Sequence, residues 1–119
     1  MIPPLVYVAG PYRSATPWGV ECNVQNARVL GAEVAKLNAY PVIPHSNTSH
    51  FDGLGTDALW LGGTLELMRR CDAVLFAPTW RESFGAIEEH KEATRMGMPI
   101  FGPEDLTNTV LAFWIRNRQ

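Results

Sequence analysis

The segment WRESFGAIEEHKEA, Trp80 to Ala93, carries four glutamates on a pattern of helical period. Their chemistry depends on which way each one points. At about 100° per residue, with Gly85 set at zero, Glu88, Lys91, Glu92 and Arg95 fall between roughly 240° and 340°, a charged and solvated face. Ala86, His90, Ala93, Met96 and Gly97 fall between roughly 0° and 140°, and Glu89 lands near 40°, inside that apolar arc. A carboxylate turned toward a core is costly unless it is paired or used, which makes Glu89 a candidate catalytic group. A glutamate in the first turns of a helix also favours the helix dipole, and the wheel alone leaves that structural reading open.

Ser83, Phe84 and Gly85 open the same helix. Serine caps a helix start, glycine admits a ligand to the backbone, and the free N–H groups of a helix N-terminus attract anions. The first apolar run ends in AGPYR, where Gly10 again allows close backbone approach and Arg13 could hold a phosphate. Capping and a solvated arginine account for these features singly. Gathered at one edge, they read as a cradle for a phosphorylated small molecule.

The elements that would bring them together alternate along the chain. LVYVA, Leu5 to Ala9, is an apolar run bounded by Pro4 and Gly10-Pro11, the mark of a buried parallel strand. Val24, Ala27, Leu30, Val34 and Leu37 place a helix over 17–38. PVIP (41–44) predicts a second strand, 45–56 a loop, and 57–70 a second helix. DAVLFA (72–77) predicts a third strand, 83–96 the glutamate helix, MPIF (98–101) a fourth strand, and 104–116 a closing helix. This alternation predicts a single α/β domain spanning 1–119, a flavodoxin-like three-layer sandwich on a parallel sheet of four to five strands. In such sheets the ligand crevice lies at the carboxyl ends of the strands, where GPYRSATPWG, PHSNTSHFDGLG, PTWRESFG and GPED fall.

Bulk properties narrow the class. The 119 residues are 46% hydrophobic and 18% charged, enough for one buried core. A net charge of −2 offers no electrostatic handle for nucleic acid or an anionic membrane, so neither is expected as a partner. No apolar run reaches membrane-spanning length, and MIPPLVYVAG lacks the basic start of a signal peptide. Cys22 and Cys71 form no metal-type pair and are expected as reduced thiols in a cytoplasmic protein. His45, His50 and Asp52 sit on an irregular stretch with poor ligand spacing, so no metal and no other cofactor is expected.

The motifs YVAGPYR, RCDAVLFAP and SFGAIEEHKEATRMGMPIF resemble the nucleoside 2-deoxyribosyltransferase superfamily over roughly Val6 to Phe101. Within it the chain is most similar to small bacterial and phage domains with a recurring W-x-x-S-x-G-A-x-x-E pattern, here Trp80, Ser83, Gly85, Ala86 and Glu89. The resemblance implies that Glu89 is the nucleophile. It would attack C1′ of a nucleoside, release the base, and form a glycosyl-enzyme that water or a second base resolves. It further implies a 5′-monophosphate substrate. Nucleoside 5′-monophosphate N-glycosidases carry a serine six residues before the glutamate, where enzymes acting on free nucleosides carry an aspartate. Ser83 stands at that position, and Gly10 and Arg13 match the phosphate loop.

One position departs from the family pattern. Its usual aspartate, eight residues before the aspartate of the CDAV strand, is Thr64 in this chain. Thr64 shares an inward face with Trp60, Leu61, Met68 and Cys71, whereas Glu66 points outward with Arg69 and Arg70. Threonine cannot serve as an acid. Asp57 on the same face and His45 are the other groups considered for that role, and a non-catalytic nucleotide-binding module is the alternative reading of the whole chain. Tyr7, Tyr12, Trp18 and Asn47 are candidates for lining the sugar and base pocket, with core packing or turn formation as the competing account. Trp60 and Trp80 also lie near loops where an aromatic could stack on a base. The resemblance implies a homodimer.

Overall fold

A computed structural model describes Ile2 to Arg118. Four parallel strands, β1 (Leu5–Ala9), β2 (Tyr40–Val42), β3 (Ala73–Phe76) and β4 (Ile100–Phe101), form one sheet in the order β2-β1-β3-β4. The helices between and after them are α1 (Pro17–Lys36), α2 (Pro44–Asn47), α3 (Asp57–Arg69), α4 (Phe84–Met96), α5 (Glu104–Thr107) and α6 (Val110–Arg118). A single 3₁₀ turn, Trp80–Glu82, leads into α4. This is the three-layer α/β sandwich expected from the alternation.

The period of two along each strand sorts the core into two halves. Val6, Ala73 and Leu75 face a layer built by Val34 of α1 and by Leu111 and Ile115 of α6. Tyr7, Ala9, Val74 and Phe76 face the other way, against Met68 of α3 and Ala93 of α4. The order of the strands reverses between β1 and β3, because β2 lies on one side of β1 and everything later lies on the other. Chains leaving the carboxyl ends of β1 and β3 therefore diverge to opposite faces and open a crevice there.

Side-chain caps start the helices that border this crevice. Thr16 Oγ1 accepts from Gly19 N–H at 3.0 Å, Thr56 Oγ1 from Leu59 N–H at 3.1 Å, and Ser83 Oγ from Ala86 N–H at 3.2 Å. Gly97 ends α4 in the left-handed conformation, φ 69°.

Several boundaries differ from expectation, and β3 and β4 are shorter than the apolar runs that predict them. The stretch after β2 is not all loop: Pro44, pre-set for a first helical position, opens the short α2 and cuts the strand back to Val42. The closing helix is broken in two. Thr109 takes φ 68°, and Asn108 Oδ1 accepts from Val110 N–H at 3.0 Å, restarting the helix as α6. Helix α1 stops at Lys36, with Asn38 in the left-handed region. Among the described residues no helix is long and apolar enough to cross a membrane.

Candidate active site

Glu89 lies on the second turn of α4 and is 6% exposed. Its Oε2 accepts a hydrogen bond from the hydroxyl of Tyr7, a fully buried β1 residue 82 positions away. The helical period turns Glu89 toward the sheet, and the strand period turns Tyr7 to the same face, so two independent local rules meet in one contact. Thr64, half-buried on α3, is the next polar neighbour of the Tyr7 hydroxyl. Burial raises the Glu89 carboxyl from 4.5 to about 7, and the Tyr7 hydrogen bond opposes that rise by favouring the anion. Burial also pushes the Tyr7 hydroxyl well above its ordinary value, with the adjacent Glu89 adding to the effect. Tyr7 is thus a persistent donor, and Glu89 changes charge near neutral pH.

The pair opens onto a cavity of about 720 Å³ between the crevice loops and α3. A cavity of that size accommodates a nucleoside or nucleotide. Its walls include Trp60 and Thr64 from α3, Arg13 from the β1–α1 loop, and Ser83, Gly85 and Ala86 at the start of α4. The first-turn N–H groups of α4 have no acceptors within the helix. A Cβ built on Gly85 would meet only Ser83 Oγ, at 3.9 Å, so the glycine leaves open space beside the helix start. Gly10 is required for a different reason. A Cβ there would stand 2.8 Å from that of Ala77, so the loops leaving β1 and β3 touch only because the residue is glycine.

The opposite wall is held by long-range hydrogen bonds. The Tyr12 hydroxyl donates to Asp52 Oδ1 at 2.7 Å and accepts from His50 N–H at 2.8 Å. Arg13 Nη2 contacts Asp57 Oδ1 at the first residue of α3. His45 is 6% exposed, and its Nε2 lies 3.0 Å from the carbonyl of Gly10 and 2.9 Å from that of Pro11. Both partners are acceptors, so Nε2 must carry the hydrogen. Burial lowers the His45 pKa and keeps the ring neutral. Its N–H is directed at the backbone of the β1–α1 turn.

A solved structure of a 2-deoxyribosyltransferase from the psychrotolerant bacterium Bacillus psychrosaccharolyticus superimposes with a TM-score of 0.61. The match covers 83% of this chain and 72% of that one at 16% identity. This chain has the 2-deoxyribosyltransferase fold. No family model matches its sequence, and no curated protein does.

On that fold the cavity gathers Tyr7, Gly10, Tyr12, Arg13, His45, Asp57, Thr64, Ser83, Gly85 and Glu89 in one place. Two pocket candidates lie outside it. Trp18 is 73% exposed on the first turn of α1, and Asn47 is exposed at the end of α2. Trp60 is the tryptophan that reaches the cavity. Trp80 stacks on His90 with ring centroids 4.2 Å apart and planes 5° from parallel, and its ring also receives Arg81 at 4.5 Å. It anchors the turn that presents Ser83.

Tyr7 lines the cavity and is also the hydrogen-bond partner of the carboxylate. The parity of β1 was the signal for it, since Tyr7 shares a face with Ala9, Val74 and Phe76 beneath α4. Glu92 also departs from the wheel. Its side chain is only 12% exposed, clamped by Arg69 Nε of α3 at 2.5 Å and Arg95 Nε at 2.7 Å. Those guanidiniums hold its carboxyl down, to about 2. Among the described residues no cluster of three metal-ligating side chains exists.

Proposed function

We propose that the chain belongs to the nucleoside 2-deoxyribosyltransferase superfamily and cleaves the N-glycosidic bond of a nucleoside 5′-monophosphate. The observation that carries this reading is Glu89. It is a buried carboxylate held by Tyr7 at the β1/β3 divergence, and it opens onto a nucleotide-sized cavity. The sequence motifs and the shared fold both support it.

In this mechanism the ionised Glu89 carboxylate attacks C1′. The C1′–N bond breaks, its electron pair leaves with the base, and the base takes up a proton. A glycosyl ester with Glu89 results. Water then adds to C1′ with loss of its proton, the ester oxygen departs, and free carboxylate and sugar 5-phosphate remain. A second base in place of water gives transfer. Tyr7 steadies the carboxylate before it attacks and again as it is released. Arg13, the Ser83 hydroxyl and the N-terminal N–H groups of α4 supply the donors for the phosphate, and Trp60 offers a face for the base.

A second reading is favoured by Thr64. With no carboxylic acid at that position, the cavity would bind nucleotides without cleaving them. Incubation with a panel of nucleosides and their 5′-monophosphates, scored for free base by chromatography, separates the two. Base release that disappears in Glu89→Gln supports the enzyme. Calorimetric binding of monophosphates without release supports the binding module. Release that survives Glu89→Gln would sink the nucleophile assignment.

A further inference from the structure

Among the cavity-lining residues Arg13 is the only lysine or arginine, and it shares the walls with Asp52, Asp57, Glu82 and Glu89. A phosphomonoester carries a charge of about −1.5 to −2 at neutral pH and seeks a guanidinium. Asp52 is occupied by the Tyr12 hydroxyl, and Glu89 by Tyr7. Asp57 is the carboxylate that contacts Arg13 itself.

Two features make this contact exchangeable. The side chains are 69% and 81% exposed, and an ion pair so open to water contributes little. Asp57 is also the first residue of α3, where the helix N-terminus stabilises a carboxylate without help from an arginine. Arg13 can therefore turn to a stronger anion without leaving a buried partner behind. A dianionic phosphate that accepts two parallel N–H donors is such an anion.

We propose that Asp57 is a specificity-determining residue that competes with the substrate's 5′-phosphate for Arg13. It weakens retention of phosphorylated sugars and leaves uncharged nucleosides unaffected. This rests on the reading of the cavity as a nucleotide site. It also gives Asp57 a task other than proton donation, in keeping with its exposed position.

The test uses ribose 5-phosphate and ribose as probes, with binding followed by calorimetry on the intact chain and folding checked by thermal melting. Asp57→Asn is expected to tighten ribose 5-phosphate binding by about two- to fivefold at low salt, less at high salt, with no change for ribose. Asp57→Ser should act in the same direction. In an Arg13→Gln background the gain should vanish, because nothing is left to compete for. A gain that persists without Arg13 would mean simple repulsion and would overturn the proposal. So would weaker binding in Asp57→Asn, which would show that Asp57 positions Arg13. Absence of ribose 5-phosphate binding in every variant would overturn it too, while Glu89-dependent base release from free nucleosides would leave the catalytic reading standing. The converse result, competition without base release, would keep the proposal and remove the enzyme.

Discussion

Replacing Glu89 by glutamine should stabilise the protein, and by an amount that depends on pH. Burial lifts the Glu89 carboxyl from 4.5 to about 7. A raised carboxyl binds its proton more tightly in the folded state than in the unfolded one. The stability associated with that proton is fully present below about 4.5, falls as pH rises, and is gone above about 7. The span corresponds to about 3 kcal/mol. Glutamine is neutral at every pH, keeps the shape, and offers an oxygen to the Tyr7 hydroxyl, so it escapes this loss. At roughly 4 °C per kcal/mol for a chain of this size, Glu89→Gln should melt roughly 10 °C above the wild type at pH 8 and close to it at pH 5. Thermal unfolding followed by circular dichroism at the two pH values checks this. An identical offset at both would mean that Glu89 is not a buried, charge-resisting group, and the case for a catalytic carboxylate would lose its physical basis.

Three further outcomes follow from the same geometry. Tyr7→Phe removes the hydrogen bond that favours the ionised carboxylate, so the Glu89 value should climb. The rising limb of base release, expected near pH 7 in the wild type, should move to higher pH, as a pH–rate profile would reveal. Gly10→Ala drives a methyl group to 2.8 Å from the Ala77 Cβ and should destabilise the fold by about 1–3 kcal/mol, measurable by urea titration. Thr64→Asp adds a carboxyl that can protonate the leaving base and should raise the maximum rate of base release; an unchanged maximum would mean that another group protonates the base.

The fold was legible because its strands are short apolar runs bounded by glycine and proline, and Ser83 and Gly97 mark the ends of α4. Glu89 was legible for the same kind of reason, since helical period and burial are both local. What stayed hidden depends on contacts between distant segments. The Tyr12 hydroxyl reaches His50 and Asp52, and nothing near Tyr12 announces partners 38 and 40 residues away. Glu92 sits on the wheel's wet face, yet Arg69 of the neighbouring helix covers it. Trp18 and Trp60 look alike in sequence, and only the docking of α3 over the crevice separates the one in solvent from the one in the cavity.

Thr64 and Glu89 are best understood as one unit joined through Tyr7. In the proposed reaction Glu89 must lose its proton in a site where burial opposes ionisation, and among the described residues the Tyr7 hydroxyl is the donor that supports the anion. A carboxylate at position 64 would stand beside that hydroxyl, compete for its hydrogen bond and repel the charge on Glu89. Threonine avoids both effects and places only a neutral hydroxyl beside Tyr7. The chain thus keeps a carboxylate that can ionise near neutral pH and gives up an acid at position 64. In the proposed reaction the departing base would draw its proton from solvent or from a weaker donor. That arrangement suits bases that leave readily once protonated and should make turnover slow for the rest. Thr64→Asp should accordingly shift the rising limb of base release to higher pH, because the added carboxylate opposes ionisation of Glu89.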